Sequence, residues 1–411
     1  MTGVTEGDGV RRAGILVAVA VVVVGSFATA PIGPAAPAAA VVDSATVVPT
    51  PNAGAGLPSY LTGVSCVSAS SCVATGYFDS GPFQTLAMTW NGSTWALQPT
   101  PNAGSGLSNN LVGVSCVSAS FCMATGYYSD ATFQTLALVW DGSTWTVTPT
   151  PNPGSGTDNL LNKVSCVSAS FCVAVGEYQD GSGWRSLVTV WDGSAWSVAP
   201  TPDPGVPSDH FLNAVSCVSV SFCVAVGEDE GGSIARSLVL VWDGSTWSSA
   251  PTPDPGVAAE HFVNGVACVS ASFCVAVGRA ETAGTSPPLV LVWDGSVWSA
   301  LSPPAPAPGV GANLVGVSCG STAACVATGW FGSPGTPSAL VTTWDGAGWS
   351  VLATPGVVTP TDEILYAVSC ASEAFCVATG VAGTTSVSRT LALVLRGPDP
   401  TPAPPVPRFT G

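Results

Sequence analysis

The chain has 411 residues, of which only 8% are charged, and its net charge is −16. Nine Lys and Arg in total cannot build the clustered basic surface that nucleic acid or an anionic membrane requires, so neither is expected as a partner. With 47 Gly, 35 Pro and 8% aromatic residues, the composition fits many short strands joined by tight turns rather than helices or disorder.

In chain order, the first element is Arg11-Arg12, followed by an apolar run over 13–24 and then by small residues. This is the layout of a secretory signal, with A-x-A sites at Ala28-Thr29-Ala30 and Ala38-Ala39-Ala40. Pro31 disfavours the first site, so residues 1–40 are read as a signal peptide cut after Ala40, leaving a secreted chain. The alternative is an uncleaved membrane anchor, because the weaker apolar stretch continues to Ala30 and reaches about the shortest spanning length.

Residues 41–397 are one pattern written seven times at a stride of 50 or 51 residues. The second copy reads LVGVSCVSASFCMATG and then TLALVWDGSTWTVTPTP, which predicts strands over 111–116, 122–126, 135–140 and 144–150. Asp141-Gly142 reads as a two-residue type I′ hairpin, which would place Trp140 and Trp145 diagonally on one face. Leu136 and Leu138 share that face while Ala137 and Val139 take the other, so both faces are apolar. A sheet buried on both sides must be sandwiched between others. The expected fold is therefore all-β, a seven-bladed β-propeller of four-stranded antiparallel blades.

The last copy ends at LALVLRG (391–397), one strand short. Residues 42–52, VDSATVVPTPN, align with WDGSTWTVTPTPN at 140–152, so the N-terminal strand is predicted to complete the last blade and close the ring. Beyond the propeller, 398–411 form a Pro-rich C-terminal tail.

Every copy contains Cys-x5-Cys: Cys66/Cys72, Cys116/Cys122, Cys166/Cys172, Cys217/Cys223, Cys268/Cys274, Cys319/Cys325 and Cys370/Cys376. In an exported chain such regular pairs are read as disulfides, each worth about 2 kcal/mol by closing a short loop. Metal binding is the competing reading, but thiolate pairs with no His nearby make a poor zinc site, and no metal or cofactor is expected. The recurring pairs Trp90/Trp95 and Trp242/Trp247 read as core rather than sugar platforms, because blade contacts repeat and ligand sites seldom do.

These motifs, VSC-x5-CVAVG followed by WDG-x2-W, resemble those of exported bacterial β-propeller repeat proteins over about 42–397. More broadly the chain resembles kelch-like and Asp-box propellers. The kelch likeness is architectural, since the double-glycine signature is absent. The Asp-box match is partial: 141–145 lack the spacer after Asp and the upstream Ser. That resemblance implies a structural hairpin. Sialidase-like glycan chemistry would need an arginine cluster and a nucleophilic tyrosine, which are not traceable here.

The end of each blade carrying the disulfide and Asp-Gly turns barely varies, whereas the opposite end shows Tyr77-Phe78, Tyr127-Tyr128, Glu177-Tyr178, Glu228-Asp229, Arg279 and Trp330-Phe331. Loops that differ between copies on a fixed scaffold are where binding is installed. The crossovers add Asn109, Asn159, His210, His261 and Glu363 at matching positions, preceded by Asp158, Asp209, Glu260 and Asp362. An acidic, partly His-bearing arc around one channel mouth is expected, suited to a cation or a polar ligand, against the plainer reading of a solvated rim. The candidate binding residues are Tyr127, Tyr128, Asp158, Tyr178, Asp209, His210, Glu260, His261, Trp330, Phe331 and Asp362. No nucleophile elbow, phosphate loop, metalloprotease helix or paired-carboxylate motif occurs, and no catalytic residue is assigned. A monomeric, non-catalytic binding or adhesion propeller for a glycan or protein ligand is expected. The alternatives are a structural cell-surface protein and a polysaccharide-active hydrolase or lyase.

Overall fold

The computed structural model describes residues 41–54, 56–104, 107–202, 209–231, 234–253, 259–282, 284, 286–304, 306–307, 309–333, 336–356, 362–384 and 387–398. The expected signal peptide and the tail after 398 lie outside the described residues. Seven four-stranded antiparallel sheets form blades 1 to 7, covering 59–98, 109–148, 159–198, 210–249, 260–301, 312–352 and 362–396. The first strand of each blade is innermost and touches the first strands of both neighbours, including blade 7 against blade 1.

In blade 2 the strands are Asn109–Ser118, Phe121–Asp130, Thr132–Trp140 and Trp145–Thr148. They run past the expected ends because cross-strand pairing continues through the cysteines and out into the variable loop. Each inner strand carries a bulge, at Val112 in blade 2, between the paired residues Leu111 and Gly113. Side chains alternate as predicted. Leu136, Leu138, Trp140 and Trp145 pack against Val73 and Ala87 of blade 1, while Ala137 and Val139 join the core shared with blade 3. The same construction recurs at the closing interface, where Trp90 and Trp95 meet Phe375 and Val377, whereas the interface of blades 6 and 7 is filled by Leu391, Leu393 and Leu395 without a tryptophan pair.

Ring closure takes the expected form. Ser44–Val47 pairs antiparallel with the last strand, from Ser44 opposite Arg396 to Val47 opposite Leu393. Across the seam Cys66 N donates to Ser369 Oγ at 2.9 Å and Tyr60 Oη donates to Ser388 Oγ at 3.2 Å.

The Asp-Gly connection differs from the expected two-residue hairpin. Trp140 lies directly opposite Trp145, with ring centroids 5.5 Å apart, and four residues join the strands. The Asp141 carboxylate accepts from the backbone N–H groups of Thr144 and Ser143, both at 2.8 Å, so a side chain provides the acceptor that a type I′ turn takes from the backbone. Only Gly142 needs the left-handed region, at φ +97°. These donors, with both hydroxyls, hold the Asp141 carboxyl well below the usual carboxylate range. The turn rests on the disulfide hairpin, where Trp140 Nε1 donates to Ala119 O at 3.1 Å, so both invariant turns share one end of the molecule.

All seven Cys-x5-Cys pairs are disulfides, with Cα separations of 3.9–4.0 Å. That many bridges suit folding in an oxidising, extracellular compartment. The pairing is as expected, and the two cysteines of a pair differ in burial. The second members, Cys72, Cys122, Cys172, Cys223, Cys274, Cys325 and Cys376, are buried, and each belongs to the hydrophobic core of one blade interface. The first members, such as Cys66 and Cys116, are only partly buried and pack against those cores. Register is the reason. Cys72 lies opposite Trp90 and Cys122 opposite Trp140, so the second cysteine sits on an interior strand beside an indole of the interblade core. These seven sulfurs are therefore core as well as bridge, and none is open to a ligand.

Next to the bridges runs a belt of interblade bonds: Cys116 N donates to Ser65 Oγ, Cys166 N to Ser115 Oγ and Cys217 N to Ser165 Oγ, each at 2.9 Å. Blade 5 presents Ala267 at this position and has no hydroxyl to offer Cys319. Ala267→Ser should therefore complete the belt and raise stability by about 1 kcal/mol, read from urea denaturation. A neutral or destabilised variant would show that the belt contributes nothing there.

Candidate functional site

The variable end is organised by strand alternation. Tyr128, Tyr178 and Phe331, with Phe78, pack partly buried against the interblade cores. The residue before each points to the other side of its blade. That second column is Tyr77, Tyr127, Glu177, Glu228, Arg279 and Trp330, at matching register on the second strands of blades 1 to 6.

Two of these are carboxyls held by the inner-strand bulges. Asn162 Nδ2 donates to Glu177 Oε2 at 2.9 Å and to Leu212 O of blade 4 at 2.9 Å. Asn213 Nδ2 repeats this with Glu228 Oε2 at 2.6 Å and Val263 O at 3.0 Å. Burial pushes the Glu177 carboxyl up to about 8, with a further push from the charge of Glu228, and burial lifts Glu228 to about 7. Both folded-state values lie above the unfolded one of 4.5, so the stability they confer is full below pH 4.5 and lost as pH rises towards 7–8. Thermal melts should show a lower Tm at pH 8 than at pH 5, and the Glu177→Gln/Glu228→Gln double variant should flatten this slope. An unchanged slope in the double variant would place the titration elsewhere.

Below this layer the channel narrows to about 110 Å³ and is lined by small residues, including Gly63, Ala214, Gly265, Gly316 and Ala367. Close approach of neighbouring inner strands dictates their size: a Cβ on Gly113 would lie 2.9 Å from both Asn162 O and Lys163 Cα. Blade 3 breaks the series with Lys163. Its Nζ donates to Thr62 O at 2.6 Å and to Val112 O at 2.7 Å, tying blades 1, 2 and 3 together through bulge carbonyls. Burial pushes this amine down to about 8. Neither Lys163 nor the asparagine latches had been singled out from the sequence. Aligning the seven copies column by column exposes Lys163 as the one long side chain among glycines and alanines.

The crossover residues form no open arc. His210 and His261 are 1% and 0% exposed, and Asn109 and Asn159 are equally buried. They occupy one structural column with two kinds of partner: Asn159 Oδ1 accepts from Gly154 N at 2.8 Å and so braces its crossover, whereas His210 Nε2 lies 3.3 Å from Asp229 on the neighbouring strand. Asn109 and Asn159 lie at these positions because the crossover backbone needs partners there. Asp362 and Glu260 open the inner strands of blades 7 and 5, with Glu260 paired opposite Glu281. Among the described residues no three His, Cys, Asp or Glu converge as metal ligands.

Asp158 and Asp209 have a different task. Asp158 Oδ1 accepts from Phe133 N at 2.9 Å and Asp209 Oδ1 from Trp184 N at 2.7 Å, while Ser108 Oγ does the same for Phe83 N at 3.1 Å. In blades 1 to 3 the following crossover thus pins the aromatic residue at the beginning of the third strand. Phe83 and Phe133 are 36% and 38% exposed. They are backed by Tyr77 and Tyr127 at 5.2 and 5.3 Å, and Trp184 rests on Phe211 of blade 4 at 5.9 Å. These aromatics open a strand at the far side of the variable loop, and the sequence reading had not selected them.

No family model matches the chain, and no curated protein matches it. Solved structures do. An ulvan lyase of a polysaccharide-lyase family, bound to a GlcA(1-4)Rha3S saccharide, superposes with a TM-score of 0.51 at 10% identity, over 87% of this chain and 95% of that one. YCF48 bound to a D1 peptide gives 0.49 at 13% identity, over 89% and 100% of the two chains. The Aleuria aurantia lectin in complex with a fucosylated GlcNAc gives 0.43 at 14% identity, over 74% and 99%. At 10% identity the likeness to the ulvan lyase is one of fold alone, and the seven blades are those of the chain's own sheets.

Proposed function

We propose that this is an exported, non-catalytic binding propeller that takes a carbohydrate on its variable face. The observation that carries the reading is the aromatic arc: Phe83, Phe133 and Trp184 occupy the same position on three consecutive blades, each N–H pinned by the next crossover. Aromatic rings kept at the surface and anchored by polar braces suit the apolar C–H faces of sugar rings. Export is supported by the signal-like segment at 1–40 and by the disulfides. The carboxyls with raised pKa are engaged by Asn162 and Asn213, which favours binding over turnover.

A polysaccharide array with the secreted protein, paired with assays for reducing ends and unsaturated uronates, tests this. At least one polysaccharide should bind without turnover, and Phe133→Ala with Trp184→Ala should weaken binding by about tenfold with Tm unchanged. Turnover of the bound polymer would make it an enzyme. No binding at all would favour the structural cell-surface alternative.

A further inference from the structure

A second site lies away from the aromatic arc, in an open cavity of about 420 Å³ between the variable loops of blades 5 and 6. Its volume falls within the roughly 300–1,000 Å³ of small-ligand clefts. It is lined by Trp330, by Glu281 and by the hydroxyl-bearing residues Thr282, Ser286 and Ser333. The carboxylate is held in place from behind. Arg279 Nε donates to Glu281 Oε1 at 2.7 Å, and the Arg279 guanidinium lies 4.1 Å above the Phe262 ring. Gly309, Gly311 and Gly332 also line the cavity and carry no side chain to fill it.

We propose that this cavity is a monosaccharide subsite for a neutral pyranose, a specific case of the binding reading above. An indole and a fixed carboxylate lining one cavity offer the two things a sugar ring needs: an apolar face to stack on, and an acceptor for its hydroxyls. Charge sets the class. The carboxylate and the chain's net charge of −16 repel uronates and sulfated sugars. The cation beside the cavity, Arg279, is already paired with Glu281 and repels a metal ion.

The test is an NMR titration of the intact protein with methyl glycosides of neutral hexoses and 6-deoxyhexoses, with methyl glucuronoside as the charged comparison. At least one neutral glycoside should bind in about the millimolar range, and Trp330→Ala and Glu281→Gln should each weaken it at least about tenfold. Trp330→Phe should retain most of the affinity, and Tm should be unchanged in all three variants. Absence of any neutral binder, stronger binding of the glucuronoside, or full binding by Trp330→Ala would overturn the proposal. If polysaccharide binding depends on Phe133 and Trp184 but not on Trp330, the subsite is wrong while the wider reading stands.

Discussion

Trp145→Ala should destabilise the propeller by about 3–5 kcal/mol, the cost of emptying a large aromatic site in a packed interface. The indole is 5% exposed and sits between Trp140 and the Val73/Ala87 surface of blade 1. Its Nε1 has no hydrogen-bond partner, whereas Trp140 Nε1 donates to Ala119 O at 3.1 Å. The two members of the pair should therefore respond differently to Phe. At 145 only volume is lost, and the cost should stay below about 1.5 kcal/mol. At 140 the substitution also removes the bond to the disulfide hairpin, adding about 1 kcal/mol. Urea denaturation of the three variants, with Phe133→Ala as the surface control, measures this. If Trp145→Ala melts like the control, the indole pairs are not the interblade core.

Removal of 43–52 should be at least as damaging. It takes away the strand Ser44–Val47 and the Thr50 hydroxyl contact to Thr390 at 2.7 Å, leaving residues 387–396 as an unpaired edge. An exposed edge of that length, rich in Leu and Val, is a template for pairing with another chain. The truncated protein is expected to melt well below the parent and to elute as oligomers, by calorimetry and light scattering. A monomer with the parental Tm would show that blade 7 holds together on three strands.

The turn and the rim show how far local pattern carries. Asp141-Gly142 correctly placed a connection between two strands, but the carboxylate's own bonds to Ser143 and Thr144 lengthened it and brought Trp140 opposite Trp145. At the variable end, sequence variation pointed to the right loops. It did not separate Tyr127, which meets Phe133, from Tyr128, which packs against the interblade core. His210 and His261 were read as rim residues because they are polar in a crossover, and they are buried, with His210 Nε2 3.3 Å from Asp229 of the neighbouring strand. The cysteine spacing paired Cys116 with Cys122 correctly, yet only the sheet register shows that Cys122 is the one placed in the core.

The sequence alone determined the number of blades, the strand that closes the ring, the cysteine pairings and the end that varies. All of these follow from a period of 50 or 51 residues and from contacts within one copy or its repetition. Tertiary structure decided what depends on different copies meeting. Asp209 reaches back to Trp184 of the preceding blade, Lys163 reaches carbonyls of blades 1 and 2, and Asn162 joins Glu177 to blade 4. Burial at those junctions, rather than residue type, sets the Glu177 carboxyl near 8 and leaves Phe133 open to solvent. Such properties arise between residues brought together by the ring, so no single repeat, read by itself, contains them.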